Sequence, residues 1–171
     1  VLAPGEVAQQ SEVALVDLRD HRLRRRGEVD PRREAVVAGD ALHDIVLIEI
    51  GGDLNVDRIR SAQDDVSLTT RDGAILDAFN DAAADSIGVN LFFQAAGRIG
   101  VSDNDFDIDS STPRPGRLVA TSSSSMFITE TDGLLNVQRA IAPGGGVRLT
   151  TTDTLATDED ATFDKEVSLD A

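Results

Sequence analysis

Residues 44 to 77 are repeated, in diverged form and without a gap, 81 positions later, so that Asp44 aligns with Ser125. Glu49, Gly52, Leu54, Asn55, Val56 and Arg58 return as Glu130, Gly133, Leu135, Asn136, Val137 and Arg139. Val66, Leu68, Thr69, Thr70, Asp72 and Asp77 return as Val147, Leu149, Thr150, Thr151, Asp153 and Asp158. Where identity fails, one hydrophobic residue replaces another, as Met126 does Ile45 and Ile128 does Leu47. Self-similarity at a fixed interval is the mark of a stacked, quasi-one-dimensional architecture in which each layer rests on its neighbour. It also bears on function, because a scaffold duplicates everything, whereas an enzyme seldom duplicates a catalytic centre in register.

The pattern within the repeat is that of strands. From about residue 41, runs with period-two alternation recur roughly every ten residues, separated by Gly, Asp, Asn and Ser. Strands are expected near 44–50, 53–59, 65–70, 73–77, 87–95, 98–101, 105–109, 117–121, 125–131, 134–141, 147–151 and 161–169. Alternation puts Leu54 and Val56 on one face with Asn55 opposite, and treats Val66 and Leu68, Val89, Leu91 and Phe93, and Phe106 and Ile108 alike. The only helical hint, Asp81-Ala-Ala-Ala-Asp85, is too short to stand alone. With six Phe and neither Trp nor Tyr, the core must be built from Val, Ile, Leu and Ala, which suits thin repeated layers. The expected fold is therefore all-β: a parallel β-solenoid with about four rungs of roughly twenty residues per repeat. A β-sandwich is the alternative, disfavoured by the scarcity of hairpin signals, Asp72-Gly73 and Asp132-Gly133 being the clearest.

Residues 1–40 read differently from residues 41–171. The first forty carry seven Arg against eight acids, whereas the remainder carries nine basic residues against twenty-three acids. They are expected to form a cap or arm, with Val13-Ala-Leu-Val-Asp-Leu a candidate strand and Arg22, Arg24, Arg25 and Arg26 a basic cluster. The net charge of −15 thus sits almost wholly on the repeat region. Such a surface repels nucleic acid and anionic membrane and attracts divalent cations or basic partners. The absence of cysteine excludes a disulfide framework and thiolate metal sites. No run is long enough for a transmembrane helix, so membrane insertion is not expected. The chain starts at Val1 rather than Met and reads as a piece of a longer protein.

The phrase Ile45-x-x-x-Glu49-x-x-Gly52-x-Leu54-Asn55-Val56, followed by Asp65-Val-Ser-Leu-Thr-Thr-Arg-Asp-Gly-Ala-Ile-Leu-Asp-Ala, resembles the repeats of very large bacterial surface proteins of the filamentous-haemagglutinin-like kind. Ala95-Ala-Gly-Arg-Ile-Gly, Phe106-Asp-Ile-Asp-Ser-Ser and Arg117-Leu-Val-Ala-Thr continue the likeness, which covers about residues 41 to 160. The resemblance implies a right-handed parallel β-helix, secretion or surface display, and a role in adhesion or extracellular matrix. Repeats of that kind often carry an Asp-x-Asn-x-Asp-Gly calcium loop after the Ile-Leu. Here Phe79 stands where an oxygen ligand is expected and Ala82 where the turn glycine is, so the loop is degenerate.

Calcium is the best candidate ligand, because hard cations require clustered carboxylate and carbonyl oxygens. Asp77, Asn80, Asp81 and Asp85 form one cluster in sequence, and Asp103, Asp105, Asp107 and Asp109 a second. On a continuous strand the second set would share one face. Glu49 with Glu130, and Asn55 with Asn136, read as residues at turns that hydrogen-bond between neighbouring rungs. Arg58 and Arg139 read as surface ion-pair formers. His21 reads as an exposed imidazole, His43 as a turn residue and Gly144-Gly-Gly146 as a turn. No zinc-protease, P-loop or serine-nucleophile motif is present.

These features point to a non-catalytic structural or adhesive module of a secreted or surface-displayed protein: a stiff rod whose outer faces contact a glycan or cell surface through many weak sites. Two alternatives remain. One is a filament or sheath subunit that self-associates along its axis, acidic barrel to Arg-rich arm. The other is a β-helix polysaccharide lyase or glycosidase using Asp103, Asp105 and Asp107, although its usual basic and aromatic partners are scarce: Lys165 is the single lysine.

Overall fold

The computed structural model describes residues 36–152 together with two short flanking strands, Glu12–Val13 and Val167–Leu169. The elements are β1 (Glu12–Val13), β2 (Val36–Ala41), β3 (Ile45–Glu49), β4 (Leu54–Ser61), β5 (Val66–Thr70), β6 (Ile75–Asp77), β7 (Ser86–Ile87) and β8 (Asn90–Ala95). They continue as β9 (Phe106–Asp109), β10 (Arg117–Ser122), β11 (Met126–Glu130), β12 (Leu135–Ile141), β13 (Val147–Thr151) and β14 (Val167–Leu169). No helix occurs among the described residues. The expectations for residues 14–35 and 153–166, those for His21 and the Arg-rich run among them, lie outside the described residues.

Successive strands alternate between two parallel sheets, so the chain winds as a β-solenoid of about six turns. The first sheet runs β1-β3-β5-β8-β10-β12-β14 and the second β13-β11-β9-β7-β4-β2, with β6 also on β4. All strand pairs are parallel, which removes the sandwich alternative. The period-two pattern explains the cross-section. In β3, β5 and β11 every second residue is buried, and those residues stack from turn to turn. One interior column in the first sheet is Ile45–Val66–Leu91–Leu118–Val137. One in the second is Leu54–Ile75–Ile99–Met126. Phe93 and Phe106 meet edge-to-face at 5.4 Å, closing the core between the two sheets.

Most expected strands form, within a residue or two of the alternating runs. The run 87–95 is divided at Gly88 and Val89, because Ile87 belongs to the second sheet and Asn90 to the first. Residues 98–101 contribute only isolated bridges at Ile99 and Val101, and 81–85 make bends. β2 pairs with β4 along its whole length, which places Val36–Ala41 in the wound body.

The repeat interval covers three and a half turns, half a turn short of the expected four. From β3 to β11 the chain crosses between sheets seven times, so Ile45–Glu49 lies in the first sheet and its copy Met126–Glu130 in the second. Likewise Leu54 and Val56 belong to the second sheet, and Leu135 and Val137 to the first. Both sheets impose the same inward–outward alternation, so a half-turn sequence fits either. The turns also differ in length: Ile45 pairs 21 residues ahead with Val66, but Leu91 pairs 27 ahead with Leu118.

The glycine at the corner between β5 and β6 shows how closely the turns stack. Gly73 has φ +123°, and a Cβ there would lie 2.2 Å from the carbonyl oxygen of Gly52 in the preceding turn. Gly97, one turn on, donates to the Gly73 carbonyl at 2.6 Å.

Candidate functional site

Two loops leave the second sheet at the same place in successive turns. β4 is continuous; its first half pairs with β6 (Val56 with Asp77) and its second half with β7 (Ile59 with Ser86). Residues 78–85 are therefore extruded where β4 needs only Asp57 and Arg58. One turn later Ile99 pairs with Met126 and Phe106 with Ile128, so residues 100–105 are extruded opposite Phe127 alone. Gly100 permits this exit: its φ is +63°, and a Cβ would lie 2.3 Å from the Phe127 carbonyl oxygen. Asn80 also has positive φ, 52°, a conformation that Asn tolerates better than most residues.

Stacking these loops merges the two acidic clusters of the sequence. Asn104 donates to the Asp77 carbonyl at 3.3 Å, Asp107 N–H donates to the Asp85 carboxylate at 2.9 Å, and Asp85 N–H donates to the Asp107 carbonyl at 2.8 Å. Asp85 is 2% exposed, and Asp77 and Asp107 are 8% exposed. Burial pushes the Asp85 carboxyl up to about 9, against the Asp107 N–H bond, with the negative charges of Asp77, Asp107 and Asp81 adding to the rise. Burial likewise raises Asp107 to about 7, helped by Asp77, Asp105 and Asp81. Asp77 accepts from Phe79 N–H at 2.7 Å through Oδ1, while its buried Oδ2 has no hydrogen-bond partner.

The outer part of the group is more open. Asp81 is exposed and accepts from Ala83 N–H at 2.8 Å; Phe79, two residues earlier, is 58% exposed. Asp105 accepts from the Thr129 hydroxyl at 2.9 Å and pairs with Arg148, whose guanidinium also donates to the Ser102 carbonyl at 3.1 Å. The same guanidinium lies 4.7 Å from the Phe127 ring centroid.

The expectation that Asp103, Asp105, Asp107 and Asp109 share one strand face does not hold. β9 begins only at Phe106, and Asp103 lies exposed in the turn closed by the Val101–Asn104 bridge. Asp109 instead ends the strand, accepting from Ser111 and Thr112 N–H at 2.9 and 3.1 Å. Asp77, Asp81, Asp85, Asp105 and Asp107 thus share one electrostatic neighbourhood, and Asn80, Asp103 and Asp109 are its flanks. Among the described residues, no three acidic or histidine side chains are arranged to hold a metal ion.

The repeated glutamates differ in role. Glu130 is fully buried and accepts from Ser110 of the preceding turn, N–H at 2.8 Å and hydroxyl at 2.5 Å, the inter-turn bond expected of it. Burial raises its carboxyl to about 8, against the Ser110 bonds and with Asp109 and Asp132 adding to the rise. Glu49 stays within its own turn, accepting from Gly51 N–H at 2.8 Å. Asn136 reaches the Gly116 carbonyl at 3.1 Å. Arg58 pairs with Asp40 at 2.9 Å, whereas Arg139 donates to the Thr121 hydroxyl at 3.0 Å. His43 sits in a bend with Nδ1 2.9 Å from the Asp64 carboxylate, and Gly144 and Gly145 lie in a turn.

A groove of about 320 Å³ follows the corner past Asp53, Gly73, Ala74, Gly97, Arg98 and Ser124. The role of Arg148 escaped the sequence reading, since nothing local links it to loop 100–105, 43 residues before it. Fold and site together define a parallel β-solenoid with an acidic double loop on one sheet. Compared with known proteins, the chain matches no family model, no curated protein and no solved structure.

Proposed function

We propose that this chain is a non-catalytic, rod-forming module of a large secreted or surface-displayed bacterial protein of the filamentous-haemagglutinin-like kind. Its role in this reading is attachment to a cell surface, glycan or matrix. The observation that carries the reading is the unbroken stacking of interior columns through successive turns, built from a repeat that recurs on both sheets. Such a body is stiff along its axis and offers the same kind of outer face many times, which favours avidity over any single site. Small-angle scattering combined with binding to immobilised glycans and matrix proteins tests it. An elongated particle that binds without turnover supports the proposal; one that binds none of these surfaces sinks the adhesive role.

One observation favours the enzymatic alternative: the pKa values of Asp85 and Asp107 are raised to about 9 and about 7, so these carboxyls hold a proton near neutral pH, as general acids must. Both are nearly closed off from solvent, and each is engaged by the opposite loop. Product release from acidic polysaccharides would decide for that reading.

A further inference from the structure

Among the described residues, the two stacked loops present a face whose negative charge is only partly met. Neither loop, 78–85 nor 100–105, contains a basic residue. Among the described residues the guanidinium of Arg148 reaches the group from β13, and it engages Asp105. Asp77 is 8% exposed, with its Oδ2 buried and unpartnered, and its charge bears on both Asp85 and Asp107. Beside these carboxylates Phe79 stands 58% exposed, with Asp81 two residues on. Among the described residues no three acidic or histidine side chains are arranged to hold a metal ion. A guanidinium is broad and planar and donates several hydrogen bonds, so it can bridge dispersed acids and also lie on an aromatic ring.

The structure already contains that mode of binding. Arg148 pairs with Asp105, donates to a loop carbonyl and lies over Phe127. Phe79 and Asp81 repeat the same pair of chemistries, ring and carboxylate, in the neighbouring loop. The chain itself holds the complementary element: Arg22, Arg24, Arg25 and Arg26, within five positions of one another in the one region where basic residues nearly balance acids.

We propose that the acidic double loop is a docking face for the Arg22–Arg26 segment of a second copy of this chain. The contact is heterologous, one surface meeting a different surface, so it propagates copies head to tail rather than closing a dimer. It goes beyond the rod reading and does not require the module to be adhesive.

The test uses the full chain and two variants. The first removes the face at its exposed residues, Phe79→Ala with Asp81→Asn. The second removes the segment, Arg24→Gln, Arg25→Gln and Arg26→Gln. Sedimentation equilibrium at low (~20 mM) and high (~500 mM) salt reads association. The full chain should self-associate at low salt and dissociate at high salt, and each variant should associate roughly tenfold or more weakly. An equimolar mixture of the two variants should form a complex that stops at one of each, since each retains one half of the contact. A full chain that stays monomeric at low salt overturns the proposal, as does association indifferent to both variants. So does a mixture that remains monomeric, which would mean the segment acts within its own chain or not at all. Stabilisation by calcium chloride without any association would assign this face to a metal ion instead.

Discussion

Asp85 and Asp107, 22 residues apart in the chain, are joined by two reciprocal bonds: Asp107 N–H to the Asp85 carboxylate at 2.9 Å, and Asp85 N–H to the Asp107 carbonyl at 2.8 Å. Two carboxyl groups are thus locked together in adjacent turns with almost no water around them. Burial and the charge of Asp107 make ionisation of Asp85 harder, and burial with Asp77, Asp105 and Asp81 does the same to Asp107, so the solenoid stores a dependence on pH at this point.

Raised pKa values mean that the folded chain holds protons that the unfolded chain has already released. Asp85 at about 9 and Asp107 at about 7, from ordinary values of 3.8, contribute stability that is complete below pH ~4 and lost progressively as pH rises toward 9. Asp85→Asn keeps the acceptor for Asp107 N–H and removes the charge. The variant should melt higher than the parent at pH 8, and its advantage should shrink toward pH 4. Thermal melts across that range check this; equal slopes for the two proteins would contradict it.

Glu130 gives a second, separable test. Glu130→Ala leaves a cavity and unpairs Ser110 N–H, and should cost about 2–4 kcal/mol in urea denaturation. Glu130→Gln retains size and acceptor and should cost well under half of that, because a carboxyl raised to about 8 is already largely neutral at pH 7.

The corner glycine is sharply constrained. Gly73→Ala brings a Cβ within 2.2 Å of backbone at a left-handed φ, and should destabilise by about 2 kcal/mol or more. Gly146, with nothing within 4 Å of a built Cβ, is the control, and Gly146→Ala should stay within about 1 kcal/mol of the parent. Urea midpoints of the two variants decide the matter.

Phe106 closes the interior against Phe93 at 5.4 Å in the turn that carries the second loop. Phe106→Ala should cost about 3–5 kcal/mol. It should also increase hydrogen exchange at Asp85 and Asp107, whose amides bridge the loops, before it does so at Val46 or Ser67 in the first sheet. Uniform loss of protection would contradict a local role.

Much of this was legible in one dimension. The inward residues Leu54, Val56, Val66, Leu68, Leu91, Phe93, Phe106 and Ile108 could be read off because a strand exposes alternate faces, and all are buried. Gly52 recurs as Gly133 in the repeat, and both residues take positive φ. The acidic residues of the site were visible as two clusters, but not as one. Their union depends on how many residues each turn consumes, and so on which part of one loop lies above which part of the next.

Local chemistry therefore determined the strands, their buried faces and the winding, since those follow from side-chain alternation and backbone geometry within a few residues. Only the tertiary structure decided that the two repeat copies lie on opposite sheets, that Arg148 reaches Asp105, and that Asp77, Asp85 and Asp107 share one buried field. Those outcomes rest on turn-to-turn register, the summed length of every intervening loop, which no short stretch of sequence contains.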